Sequence, residues 1–340
     1  MSKQAGRFSA DGQDQHVAPL AVTSLTALPA GGFYNAGNAT VSWTLPSNSN
    51  PATLYTVTTS PSTTTQTTTN TFLNFPNLAS GVSYTFTVVP SNSYGSGPST
   101  TSNSQVITTV PDAPTLVSAV NQGSGAAWNA GQVQVSFTPN STGGTSIYTY
   151  EVRAFDVNGT LIKFVEGTSS PITITNLNSN TTYQFAVLAG NGNGYSTASA
   201  YSGNVLVTTV PNQPSAPTLT STVAGSDSLS WVAPANGGNA ITSYNYYDNG
   251  SPVAVNVGNV LTVNIAEGMG TNHFFQVAAV NANGTSALSP ASGTVTTFFS
   301  PPVFFSPPLF FSPPLFFGPP SFFGPPSFFS PPAFRSPRVS

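Results

Sequence analysis

The chain is 340 residues long, enough for two to four domains at roughly 100–200 residues each. Only 4 % of it is charged, six Lys or Arg against nine Asp or Glu, where an ordinary soluble protein carries about 25 %. The net charge of −3 leaves no basic surface for nucleic acid, and the absence of cysteine excludes disulfide scaffolds, Cys-ligated zinc, iron–sulfur clusters and thiol catalysis.

Residues 1–16 read as a polar arm that holds Lys3, Arg7, Asp11 and Asp14. No apolar run of 7–15 residues follows Lys3 or Arg7, so a secretory signal is not expected there. No stretch of about 18 apolar residues occurs anywhere in the chain, so no transmembrane segment is expected.

From residue 17 onward the chain repeats itself. Val41-Ser42-Trp43 returns as Val135-Ser136-Phe137 and again as Leu229-Ser230-Trp231, at a constant spacing of 94 residues. A second register, Tyr84-x-Phe86-x-Val88 with Asn92 and Gly95, recurs as Tyr183-x-Phe185-x-Val187 with Asn191 and Gly194. It recurs a third time as His273-x-Phe275-x-Val277 with Asn281 and Gly284. Thr-Thr-Val-Pro closes the first two repeats at 108–111 and 208–211. A period of this length is too long for a solenoid and fits tandem domains, here 17–111, 112–211 and 212–297.

Within each repeat the apolar residues alternate with polar ones, as in Val133-Gln-Val135-Ser-Phe137, which is the pattern of half-buried antiparallel strands. Asn158-Gly159 and Asn249-Gly250 lie between extended runs and predict two-residue hairpins of type I′. Pro114 and Pro217 stand at element starts, where they would blunt edge strands. Many short strands per repeat without helical periodicity predict an all-β chain of three seven-strand sandwiches.

These repeats resemble the fibronectin type III domain. Trp43, Phe137 and Trp231 stand where that family has its core aromatic. Asn77-Leu78-x5-Tyr84 and Asn176-Leu177-x5-Tyr183 resemble its tyrosine corner, in which the Tyr hydroxyl meets a backbone group a few residues upstream. The third copy departs from the pattern, with His273 in the Tyr position. The resemblance implies three tandem sandwiches and no enzymatic activity.

Residues 298–340 are of another kind. Six registers of Phe-Phe-Ser/Gly-Pro-Pro-x are followed by Phe334-Arg335-Ser336-Pro337. Paired prolines forbid a helix and remove ladder donors, so an extended polyproline-like tail is expected, with three residues per turn. The pairs Phe298 and Phe299, Phe304 and Phe305, Phe310 and Phe311, Phe316 and Phe317, Phe322 and Phe323, Phe328 and Phe329 form apolar stripes on such a rod. Twelve Phe at roughly 1.5–3 kcal/mol each call for burial, so these residues are the expected partner-binding anchor.

Candidates for chemistry are few. Asp156 and Glu166 flank Asn158-Gly159 and could face each other across a hairpin, yet the plainer reading is surface charge near Lys163. Asp248 reads as turn chemistry and Gly190–Gly194 as a turn between the last two strands. His273 reads as a replacement for the structural Tyr, and a catalytic triad would rest on it alone. The expected protein is therefore not an enzyme and needs no cofactor or metal. The expected function is structural: a virion component (fibre, spacer or capsid-associated protein) whose partners are other structural proteins or copies of itself. The alternative is a secreted or cell-surface bacterial adhesin or carbohydrate-binding accessory module, with host-surface glycans as a further partner class.

Overall fold

The computed structural model describes residues 17–223, 226–266 and 272–296. Every regular element among them is a strand. The first set is β1 (Thr23–Ala30), β2 (Gly37–Thr44), β3 (Leu54–Ser60), β4 (Gln66–Thr68), β5 (Phe72–Leu78) and β6 (Ser83–Asn92), then the short β7 (Gly95–Ser96), β8 (Thr100–Thr101) and β9 (Gln105–Val106). The second is β10 (Thr115–Asn121), β11 (Gly131–Thr138), β12 (Thr149–Phe155), β13 (Leu161–Gly167), β14 (Ile172–Leu177), β15 (Thr181–Asn191), β16 (Gly194–Tyr195) and β17 (Val205–Val207). The third is β18 (Thr218–Val223), β19 (Ser226–Ser230), β20 (Ile241–Asp248), β21 (Val255–Asn256), β22 (Thr262–Ala266), β23 (Asn272–His273), β24 (Phe275–Asn281), β25 (Gly284–Thr285) and β26 (Val295–Thr296).

Each set folds into two main antiparallel sheets with the same strand order, and in the third set β23 and β26 form a separate two-stranded pair. The smaller sheets run β1-β2-β5, β10-β11-β14 and β18-β19-β22. The larger ones run β4-β3-β6-β7, β13-β12-β15-β16 and β21-β20-β24-β25. Pro114 and Pro217 directly precede β10 and β18, which are edge strands, so their missing N–H groups face no ladder partner.

The period-two pattern explains the cores. In β11, Val133, Val135 and Phe137 point inward while Gln134 and Ser136 stay half-buried, and β2 repeats this with Ala39, Val41 and Trp43. Three apolar clusters result, one per pair of sheets. Each is closed by an aromatic pair between the smaller and larger sheets. Trp43 meets Tyr55 at 5.2 Å, Phe137 meets Tyr150 at 4.8 Å and Trp231 meets Tyr244 at 5.5 Å, all tilted, which is the favoured geometry for ring quadrupoles.

The last strand of each sandwich departs from the seven regular strands expected. In the second sandwich β15 is bordered by a segment in which every third residue is serine. Ser196, Ser199 and Ser202 donate their N–H groups to the carbonyls of Ala189, Val187 and Phe185, at 2.8–2.9 Å. Their hydroxyls accept the N–H groups of the same three residues at 2.9–3.0 Å. Each hydroxyl then donates to the carbonyl of the residue that follows it. Ser286, Ser289 and Ser292 make the same ladder on Ala279, Val277 and Phe275. In the first sandwich only Ser102 on Phe86 keeps this arrangement.

The two hairpins differ. Asn249 and Gly250 both have positive φ, 46° and 71°, as a type I′ turn requires. At Asn158-Gly159 only Gly159 does, at 82°, so the expected type I′ turn is not formed there. Asp156 makes the difference: its Oδ1 accepts the N–H groups of Asn158 and Thr160, which closes a wider loop. The backbone bond from Thr160, followed by those from Asn158, holds the Asp156 carboxyl below its ordinary pKa.

Candidate functional site

Trp43 and Phe137, near the ends of β2 and β11, and Trp231, directly after β19, occupy equivalent buried places. Tyr84 and Tyr183 are buried at the start of β6 and β15. Their hydroxyls accept the N–H groups of Ala79 and Asn178, five residues upstream, at 3.3 and 3.2 Å. His273 lies at the matching register, since Val295 pairs with it as Val205 pairs with Tyr183. Its Nδ1 sits 3.0 Å from Asp248 Oδ1 and 3.3 Å from Asn249 Nδ2, and its ring stacks on Phe275. The imidazole thus binds the hairpin at the end of β20. The twelve paired Phe from Phe298 to Phe329 lie outside the described residues.

Asp156 and Glu166 do not face each other. Glu166 stands opposite Glu151 in the β12–β13 register, and Asp156 is turned into its own loop. No group of three or more metal-binding side chains occurs among the described residues. Clefts of about 390 and 550 Å³ are lined by Gly, Asn, Gln, Ser124 and apolar residues and contain no acid or base. No helix of the described residues is long and apolar enough to cross a membrane.

The most constructed feature lies between consecutive sandwiches. Asn191, at the end of β15, uses its whole amide: Nδ2 donates to Thr109 O and Thr142 O, both at 2.8 Å, and Oδ1 accepts the N–H of Asn193. Asn193 adds a second donor to Thr109 O at 3.0 Å, and Thr109 N–H reaches Gly143 O at 2.8 Å. From the preceding sandwich, Ser80 Oγ lies 2.6 Å from the Thr109 hydroxyl, and Asn35 and Ser80 bind each other. One linker residue is therefore gripped from both sides, at 0 % exposure.

The second junction repeats this bond for bond. Asn281 Nδ2 donates to Thr209 O at 2.9 Å and Asn236 O at 2.7 Å, and Asn283 also reaches Thr209 O. Thr209 N–H meets Gly237 O, and Ser179 Oγ meets the Thr209 hydroxyl at 2.7 Å. Gly143 and Gly237, both at φ 73°, must be glycine: a Cβ there would lie 2.4–2.5 Å from linker carbonyl oxygens. The first sandwich carries the same asparagine. Asn92 Nδ2 donates to Val17 O at 3.0 Å, so the segment before β1 lies where a linker lies in the other two.

Sequence reasoning used Asn92, Asn191 and Asn281 only as landmarks of the repeat. The available signal was the recurrence of Asn-x-x-Gly together with Thr-Thr-Val-Pro and Gly-Gly at 143–144 and 237–238.

The model of the fibronectin type III domain matches residues 33–106 and 113–203. No curated protein matches the chain. Among solved structures, the crystal structure of chicken CNTN1 FN1-FN3 domains is similar at 15 % identity, over 82 % of this chain and 98 % of that one, with a TM-score of 0.29. With the strand order above, the family match gives an all-β fibronectin type III sandwich fold. Domains of this family are in general non-catalytic modules of structure and protein–protein interaction.

Proposed function

We propose that this is a non-catalytic structural protein, three sandwiches at 17–111, 112–211 and 212–297 acting as a spacer for the Phe/Pro tail at 298–340, and that it works as a component of a virus particle. The observation that carries the spacer role is the twofold clasp at Thr109 and Thr209. Buried hydrogen bonds to one linker residue from both neighbours hold a fixed junction, where a mobile linker would be rich in exposed Gly and Ser. The virion reading rests on the charge-free surface of residues 17–111, which packs beside copies without repulsion, and on the twelve paired Phe that need an apolar partner.

The test is a chain ending at Thr297, produced in place of the full one. It is expected to keep its fold, gain solubility and be missing from purified particles analysed by mass spectrometry. Normal incorporation would remove the anchor role. Recovery of the full chain from a bacterial surface instead would favour the adhesin reading, to which the hydroxyl-rich face of the first sandwich is equally suited.

A further inference from the structure

The outer faces of the three larger sheets differ sharply in chemistry. In the first sandwich this face is threonine, with the hydroxyls of Thr87 and Thr101 2.8 Å apart. In the third it is Ser243, Asn245 and Gln276, with the aromatic Tyr247 opposite Gln276. In the second it holds Glu151 and Arg153 on β12 and Ile162, Phe164 and Glu166 on β13. Tyr195 on β16 and Tyr201 in the serine segment cover it: Tyr195 OH donates to Glu166 Oε1 at 2.6 Å, and Tyr201 packs edge-on against Phe155. Five of the chain's fifteen charges belong to 151–166. Among the described residues seven aromatic side chains are exposed, and four of them, Tyr148, Phe164, Tyr195 and Tyr201, belong to this sandwich.

We propose that this face of the second sandwich is the docking surface for the C-terminal tail of a second copy of the chain. The inference rests on the tail-anchor reading above and names its receptor. Three observations select this occupant. Exposed aromatic rings around a shallow polar centre are the surface that extended proline-rich segments recognise, because proline rings stack on them and little ordering entropy is lost. Glu151 is neutralised by Arg153, so Glu166 is left as the excess carboxylate on the face. Apart from Arg153 and Lys163, the latter alternating with Phe164 and Glu166 along β13 and donating its Nζ to Thr175 O, the chain's cations lie toward its two ends, and the last two, Arg335 and Arg338, follow Phe334 at a spacing of three, one polyproline turn. A face with unspent negative charge and aromatic rings thus meets a segment that ends in prolines, Phe334 and two arginines. Exposed aromatics and arginine are also the side chains that dominate interface energetics.

A charge exchange in the full-length chain tests this. One variant carries Glu166→Arg and the other Arg335→Glu with Arg338→Glu; thermal unfolding confirms that both keep the wild-type fold. Sedimentation velocity is expected to show self-association of the wild type, a loss of about tenfold or more in affinity for each variant alone, and recovery when the two are mixed. Phe164→Thr should weaken association to a similar degree. No recovery in the mixture overturns the docking surface. In that case a chain ending at Thr297 separates the readings: if it no longer associates, the tail anchors elsewhere and only the receptor is wrong. If it associates as the full chain does, another surface holds the copies together and the anchor falls as well. A wild type that stays monomeric also overturns the proposal, and leaves the face to some other partner.

Discussion

Asp227 lies on β19 at 0 % exposure, and neither of its carboxylate oxygens has a hydrogen-bond partner. Its register equivalents in β2 and β11 are Ala39 and Val133, both in the core. A carboxyl group without a hydrogen-bond partner in an apolar layer is costly, and removing it restores the chemistry of the sister sandwiches. Asp227→Val is expected to stabilise the third sandwich by about 1–3 kcal/mol, read by denaturant unfolding; a net loss would mean that this carboxylate is bound. Tyr195 sits at the opposite extreme, exposed but tied to a carboxylate. Its hydrogen bond to Glu166 stabilises the protonated phenol and lifts its pKa to about 12. The bond is present while the phenol keeps its proton and is lost as pH rises through that value. Glu166→Gln should bring the Tyr195 titration, followed by NMR on labelled tyrosine, down toward the ordinary value near 10. An unchanged titration would show that the 2.6 Å contact is not made.

At the scale of elements, the clasp makes a sharper claim. Asn281→Ala removes two bonds to carbonyl oxygens and the acceptor for Asn283 N–H, at a cost of about 1 kcal/mol each. The core of the third sandwich is untouched, so the expected result is a third sandwich that unfolds in a separate, earlier calorimetric transition and reorients freely by NMR relaxation. Unchanged coupling would assign the junction's rigidity to other contacts. How much of this could be read beforehand depends on how far apart the partners lie. Val133, Val135 and Phe137 announce their strand because period two is local. Tyr84 and Tyr183 announce their corners because the partner is five residues away. The clasp is silent, because Asn191 and Asn281 find their acceptors 82 and 72 residues upstream. Asn158-Gly159 misled because a neighbouring side chain, Asp156, offered its loop a better set of acceptors than a two-residue turn does. The serine segments stand where regular last strands are expected, and the structure replaces those with ladders whose period of three matches neither a helix nor an ordinary strand.

For the whole molecule, scarcity of charge sets the response to solvent. Among the described residues the contacts between oppositely ionisable side chains are Arg153 with Glu151 and the imidazole of His273 with Asp248. Cohesion therefore rests on apolar cores and neutral hydrogen bonds, which salt does not screen. The unfolding midpoint of the sandwiches is expected to stay within a few degrees as sodium chloride is raised from tens of millimolar toward about 1 M. A steep dependence would point to charged contacts not yet seen. The tail-mediated association proposed above should instead weaken with salt, so the two measurements together separate folding from assembly.

The serine ladders set a gearing between neighbouring strands. Three residues of the last segment advance for every two of the strand beside it: Ser196, Ser199 and Ser202 meet residues 189, 187 and 185. The two scales work as a vernier, and coincide only where a hydroxyl stands. Losing one residue between Ser196 and Ser199 takes both later hydroxyls out of step together, and the buried N–H groups of Val187 and Phe185 lose their acceptors at a stroke. Insertions and deletions are therefore tolerated only in whole steps, three residues on one strand matched by two on the other. In the first sandwich, where a single rung at Ser102 remains, Thr100 and Thr101 pair with Val88 and Thr87 as an ordinary antiparallel strand, and the backbone ladder sets the register instead.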